Sequence, residues 1–241
     1  MDLPKAPSIF VLTGAGISAE SGLGTFRDKD GAWTKYDLRE VCTPEGYARD
    51  PAKVHDFYNA RRRNLLEAEH NAAHVALGRL QAGLEAAGGT LLLCTQNVDD
   101  LHERGGATDV VHMHGELLKV RCLACQALLD WRGDTGLKTA CPTCNSVGKL
   151  RPHVVWFGEM PLYLDRIYDA VAACDLFVSI GTSGSVYPAA GLVQEANTVG
   201  ARTCELNLEP SENAYAFNER RYGPATEIVP RWVDEVLAAL G

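Results

Sequence analysis

No stretch of this 241-residue chain approaches the ~20 consecutive apolar residues of a membrane-spanning helix. Its first residues, Met1-Asp2-Leu3-Pro4-Lys5, carry no charged-then-apolar leader, and the sequence reads as that of a soluble cytoplasmic protein. Excess positive charge is missing too. A formal net charge of −8 and a pI near 5.4 argue against a general binder of nucleic acid or anionic membrane. There is no internal repeat and no low-complexity tract. A disulfide framework is not expected of a chain this long without a secretion signal. Cys94, Cys174 and Cys204 lie in or beside apolar runs, where a free thiol acts as a small hydrophobe.

What is present begins with Ile9-Phe10-Val11-Leu12, a short apolar run that reads as a buried parallel strand. Gly14, Gly16 and Ala19 follow in a G-x-G-x-x-[G/A] pattern, which lets backbone N–H groups approach a pyrophosphate at a helix N-terminus. The acidic ribose ligand of ordinary dehydrogenases, about 20 residues further on, is missing. In its place runs the polar stretch Gly24-Thr25-Phe26-Arg27-Asp28. A dinucleotide is implied, but not plain hydride transfer.

Further strands are expected at Leu91–Thr95, Val110–Gly115, Leu176–Ile180, Thr203–Leu206 and near Thr226–Val229. Helices are expected from about Pro44 to Leu66, Asn71 to Ala87, Leu162 to Ala173, Pro188 to Val199 and Trp232 to Leu240, with a helical turn around Asn213. Strands alternating with helices describe an α/β fold, a Rossmann-like doubly wound parallel sheet. Residues 40–88 form a helical insertion, and residues 119–150, where hydrophobic periodicity fades, form a small inserted module.

Cys122, Cys125, Cys141 and Cys144 give the spacing C-x2-C-x15-C-x2-C of a zinc ribbon. Four thiolates bind Zn²⁺ tetrahedrally and leave no open position, so the expected metal is structural. Gln96, Asn97 and Asp99 sit at a strand's carboxyl end, where they either meet a ligand or cap a helix, with Asn97 as N-cap and Asp100 at N3. His112 and His114 lie two apart and on a strand would share a side; each is either a core histidine or a base suited to a hydroxyl proton. Tyr58 and Arg61, at i and i+3 on a helix, offer a hydroxyl and a carboxylate-matching fork, or are part of a solvated basic face with Arg62 and Arg63.

Together, Gly14-Ala15-Gly16-Ile17-Ser18, Gly24-Thr25-Phe26-Arg27, Thr95-Gln96-Asn97-Val98-Asp99, His114-Gly115, the paired cysteines, Val155-Trp156-Phe157-Gly158-Glu159 and Gly181-Thr182-Ser183 resemble the sirtuin family, in order and over nearly the whole chain. Phe57-Tyr58-Asn59-Ala60-Arg61-Arg62 is similar to the signature of its CobB-type bacterial class, which accepts acidic acyl groups. The resemblance implies NAD-dependent removal of acyl groups, acetyl as well as succinyl or malonyl, from lysines of protein substrates, giving nicotinamide and O-acyl-ADP-ribose. It implies His114 as general base with Asn97 beside it in the catalytic set. It implies Gly14, Ala15, Gly16 and Ser183 at the pyrophosphate, and Gln96, Asn97 and Asp99 around nicotinamide and its ribose. Asn207 is implied at the adenosine ribose and Ala225 at the adenine. Glu20, Thr25, Phe26, Arg27, Gly181, Thr182, Leu208 and Glu209 complete the nucleotide set. Tyr58, Arg61, Val155, Trp156 and Phe157 are implied at the substrate. Cys42 stands where that class suggests alanine; beside an acyl tunnel its thiol would narrow the space or make it sensitive to oxidation. The competing readings are an NAD(P)-dependent oxidoreductase, a weak ADP-ribosyltransferase and a zinc-ribbon interaction protein.

Overall fold

The computed structural model describes residues 4–24 and 37–240. Its centre is a six-stranded sheet in the order β3-β2-β1-β7-β8-β9, parallel throughout. The strands are β1 (Ser8–Thr13), β2 (Thr90–Thr95), β3 (Val110–His112), β7 (Leu176–Ile180), β8 (Arg202–Asn207) and β9 (Glu219–Tyr222). A sheet covered on both faces needs apolar residues at consecutive positions. β7, Leu-Phe-Val-Ser-Ile, is buried at every residue.

Period-two alternation sorts these side chains into two layers. Ile9 and Val11 of β1 face α4 (Ala72–Ala86) and α8 (Ala225–Leu240), packing with Leu77, Leu80, Trp232 and Val236. Phe10 and Leu12 face α6 (Leu164–Ala172) and α7 (Leu192–Thr198), packing with Ile167, Val171, Leu192 and Val193. The Phe10 and Phe177 rings stack across neighbouring strands with centroids 5.4 Å apart.

Between β1 and β2 the chain makes α1 (Leu38–Val41), α2 (Pro44–Arg49), α3 (Pro51–Glu67) and α4. Thr43 and Asp50 cap α2 and α3 through their side chains, each with proline in the first turn. After α5 (Leu101–Arg104) and β3, a second, antiparallel sheet in the order β5-β4-β6 joins β4 (Gly115–Cys122), β5 (Leu128–Asp130) and β6 (Leu150–Val154). Its base packs on α3 through Phe57, Tyr58, Leu117, Val154 and Trp156. No helix among the described residues is long and apolar enough to cross a membrane.

The strand expected near Thr226–Val229 is not there. Those residues open α8, and the last strand is Glu219-Arg220-Arg221-Tyr222. The β-branched run before Pro230 favours a strand locally. Inside the helix that proline forfeits one backbone hydrogen bond, which the burial of Val229, Trp232, Val233 and Val236 outweighs. An edge strand, in turn, tolerates and profits from charge.

Candidate active site

Strand order reverses between β1 and β7, and open α/β sheets hold ligands outside the carboxyl ends of such a pair. The Gly14–Gly22 loop leaves β1 there, and Gly181–Gly184 leaves β7. A small hollow lies beside the second loop, touched by Gln96, Ser179, Thr182, Gly184, Ala190 and Asn213. The two loops meet backbone to backbone. A Cβ on Gly16 would lie 2.7 Å from Gly181 Cα, and Gly181 itself has φ +63°. The amides of Gly14 and Gly16 donate to the Ile180 and Gly181 carbonyls, 2.9 Å each. These glycines therefore serve loop-on-loop packing first, which qualifies the expectation that their amides face a pyrophosphate.

Behind the loops lies a buried network with a single consistent set of proton positions. The Asn71 amide donates to His74 Nδ1 (3.1 Å). Burial pushes the His74 pKa down to about 4, so the ring is neutral and its proton sits on Nε2, donating to Ser18 Oγ (3.3 Å). Ser18 Oγ also accepts from Asn97 Nδ2 (3.2 Å) and donates to Asp99 Oδ2 (3.1 Å). Asn97 Nδ2 further donates to the Gly14 carbonyl, 3.2 Å away. Both amide hydrogens being engaged, Asn97 has Oδ1 left to meet a ligand. The Leu101 amide donates to Asp99 Oδ1, whose carboxyl pKa is raised by burial. Asn97 is not a helix cap, since α5 begins at Leu101. Ser18 and His74, 56 residues apart, are the residues that sequence reasoning missed as a pair. The one local signal was the Asn71–His74 capping box at the start of α4.

His112 and His114 reach the same loop, though not by strand alternation: β3 ends at His112 and the chain turns before β4. His114 Nδ1 is 3.0 Å from the Gln96 carbonyl. A carbonyl only accepts, so Nδ1 carries the proton and Nε2 is the basic nitrogen. Burial lowers the pKa of this half-buried ring. His112 instead turns inward between the Asn97 carbonyl (3.4 Å) and Glu103 (2.7 Å). Burial opposes its charge, but the Glu103 carboxylate overcomes that and raises its pKa.

On the other side of His114 the chain returns as Val155-Trp156-Phe157. The Val155 amide donates to the His114 carbonyl and the Phe157 amide to the Cys42 carbonyl, both at 2.9 Å. Trp156 Nε1 donates to Tyr58 Oη (2.9 Å), and Tyr58 Oη donates to Cys42 Sγ (3.5 Å). Tyr58 is fully buried, whereas Arg61, one turn on, is half-buried with its guanidinium 5.7 Å from the Phe57 ring centroid. Burial raises the Cys42 pKa and holds the thiol protonated, which works against the oxidation sensitivity expected of it. Arg62 is no part of a solvated face. It is fully buried, donating to the Leu117 and Gly133 carbonyls and to Asn59 Oδ1, and so ties α3 to the second sheet.

The remaining expected nucleotide residues are spread around the sheet end. Asn207 Nδ2 donates to the Thr182 carbonyl (2.8 Å), and Thr182 and Ser183 hydroxyls pair with Ser179 and Ser185. Glu20 accepts from the amide and hydroxyl of Thr226, next to Ala225 at the start of α8. Leu208 and Glu209 are exposed. Thr25, Phe26 and Arg27 lie outside the described residues. In the second sheet, the sulfurs of Cys122, Cys125, Cys141 and Cys144 all lie within 4.8 Å of one another. The Cys122–Cys144 and Cys125–Cys141 separations are 3.7 and 3.8 Å. A tetrahedron of Zn–S bonds of about 2.3 Å requires sulfurs roughly 3.8 Å apart, so the set fits zinc.

A family model for the Sir2 family matches residues 14–188. An NAD-dependent protein deacylase of Caulobacter vibrioides is 65% identical over 96% of this chain and 98% of its own length. One of Escherichia coli strain K12 is 56% identical over 98% of this chain and 84% of its own. A crystal structure of a Sir2 homologue–NAD complex superposes with a TM-score of 0.86 at 38% identity, covering 98% of this chain and 92% of that one. A Sir2–p53 peptide–NAD⁺ structure does so with 0.79 at 26%, covering 95% and 92%.

Proposed function

The chain belongs to the Sir2 family, and from that premise we infer that it is an NAD-dependent protein deacylase, with acyl-lysine side chains as its substrates. The observation that carries the reading is the His114 imidazole, held by Gln96 with Nε2 as its basic nitrogen, next to the Asn97–Ser18–Asp99 network. NAD supplies the electrophile: its ribose carbon exchanges nicotinamide for the acyl oxygen. Asn97 Oδ1 accepts from a hydroxyl of that ribose, and Gln96 and Asp99 line the nicotinamide side. His114 Nε2 takes the proton of a ribose hydroxyl, whose oxygen then bonds to the acyl carbon. Water completes the release of free lysine and O-acyl-ADP-ribose.

The Ala15 amide and Ser183 hold the pyrophosphate between loops that Gly14, Gly16 and Gly181 bring together, with Thr182 beneath. Asn207, Leu208 and Glu209 border the adenosine ribose, and Glu20 and Ala225 the adenine side. Residues 119–150 act as a zinc-ribbon module and residues 40–88 as a helical insertion, walling a cleft against the sheet domain. The substrate main chain adds as a strand between Val155-Trp156-Phe157 and the region of Gly184-Ser185-Val186. Within that cleft the acyl group runs toward Arg61 and Tyr58, which favour acidic acyl groups. A charge-assisted bond from Arg61 to a succinyl or malonyl carboxylate contributes about 1.5–3 kcal/mol.

The test is to incubate the protein with NAD and matched acetyl- and succinyl-lysine peptides and follow products by mass spectrometry. Nicotinamide and O-acyl-ADP-ribose in equal amounts are expected. Reduced dinucleotide would return the oxidoreductase reading, and deacylation without NAD would remove this one.

A further inference from the structure

The hydroxyl of Tyr58 has one proton, and that proton is already directed at sulfur. The indole N–H of Trp156 can only donate, so at 2.9 Å Tyr58 Oη must be its acceptor. The hydroxyl proton then points at Cys42 Sγ, 3.5 Å away. The backbone that carries the thiol is held from both sides: the Cys42 amide donates to the Leu38 carbonyl (2.8 Å) and its carbonyl accepts from the Phe157 amide (2.9 Å). Cys42 is 5% exposed and packs among Phe57, Tyr58 and Trp156.

We propose that Cys42 competes with the terminal carboxylate of an acidic acyl group for the Tyr58 hydroxyl proton, and thereby sets how far this site prefers acidic over neutral acyl groups. The proposal rests on the acidic-acyl reading given above. An ionised carboxylate is acceptor-only, so a bond to Tyr58 requires that proton. Taking it breaks the O–H···S contact. Sulfur is a weak acceptor, so the exchange favours the carboxylate and the thiol lowers the preference without abolishing it. An acetyl group ends in a methyl and asks nothing of the Tyr58 proton. The Trp156 bond is unaffected in either case, which keeps the phenol in position.

Two substitutions separate proton competition from space. Cys42→Ala removes the acceptor and opens room; Cys42→Val removes the acceptor and fills the room. The quantity read is the succinyl-to-acetyl ratio of kcat/KM on matched peptides, together with the dissociation constant of a fluorescent succinyl-lysine peptide. Both variants are expected to raise the ratio roughly two- to fivefold, the scale of one weak hydrogen bond. The change is expected in KM and in peptide affinity, not in kcat. In a Tyr58→Phe background neither substitution is expected to move the ratio. A rise with alanine and a fall with valine would overturn the proposal in favour of a steric role, and so would an effect that survives Tyr58→Phe. Melting temperatures identify a valine variant that fails to fold, in which case alanine with and without Tyr58→Phe decides. Arg61→Met is measured in parallel. If it leaves the ratio intact, the acidic-acyl reading fails and this proposal with it. If it collapses the ratio while the Cys42 variants leave it alone, only this proposal fails.

Discussion

Because a backbone carbonyl fixes the His114 tautomer, the pH at which the ring gains a second proton becomes the pH at which a base is lost. Burial lowers that pKa, against the smaller upward pull of the Gln96 bond. The acid limb of kcat/KM is therefore expected below the ordinary histidine value of about 6.5, with a plateau through neutrality. A limb centred above that value in a pH–rate profile would contradict the assignment. His114→Ala should lower kcat/KM at pH 7.5 by at least ~100-fold, the usual scale of general-base catalysis. At Arg61 the expectation concerns selectivity. Arg61→Met should reduce the succinyl-to-acetyl ratio of kcat/KM by about ten- to a hundredfold, and equal losses on both peptides would assign Arg61 to packing. Single residues of this kind can be nominated from the sequence because short motifs carry them. Their protonation states cannot, since these depend on which carbonyl the fold sets against the ring. Ser18 and His74 show the same limit: no local pattern links a glycine-loop serine to a histidine in another helix.

The two loops at the switch point form one structural element, and its tolerance is small. A Cβ on Gly16 would press on Gly181 Cα at 2.7 Å and on its oxygen at 2.9 Å, backbone atoms with no side-chain freedom to yield. Gly16→Ala is expected to destabilise the fold by about 1–3 kcal/mol in denaturant titrations and to raise the KM for NAD. An unchanged midpoint would mean the loops separate freely. The second sheet is fragile for another reason. Its upper core comprises Val120, Cys122, Cys141 and Leu150, two of them thiols of the metal set. Such a core does not hold itself together without a cross-link. Metal removal, verified by elemental analysis, should open the region around 123–149 to protease while far-UV circular dichroism keeps the signal of the parallel sheet. A proteolysis pattern indifferent to chelation would sink the structural-zinc assignment. The cysteine spacing made this element legible in advance because the four ligands are paired locally. The end of the main sheet was illegible for the opposite reason: charged Glu219–Tyr222 hides an edge strand, and Pro230 disguises a helix that tertiary burial sustains.

Across the whole molecule, the network behind the switch-point loops and acid stability draw on the same buried histidines. His74 titrates at about 4 in the folded chain, because burial disfavours its charge, against 6.5 when unfolded. Between those values the unfolded chain takes up a proton that the folded chain refuses, so its stabilisation is complete above pH 6.5 and is lost as pH falls toward 4. At 1.36 kcal/mol per unit, that withdraws about 3 kcal/mol, a large part of the 5–15 kcal/mol that holds a typical domain. Fully buried His102, its Nε2 2.9 Å from Thr13 Oγ1, is shifted in the same direction by burial and so adds to the slope. Carboxylates titrate over the same range, so the decisive measurement is a difference. In guanidinium titrations from pH 7.5 to 4.5, His74→Gln should lose less stability on acidification than the parent, because glutamine keeps neutral donor and acceptor groups where the ring had them. If parent and variant lose stability in parallel, the acid sensitivity lies in the carboxylates and not in this network. If they diverge as expected, the parent's affinity for NAD should hold through most of that interval and fall only as pH approaches 4, because the proton that charges the folded ring enters at Nδ1, against the Asn71 amide, and so disturbs the start of α4 that holds His74 on Ser18.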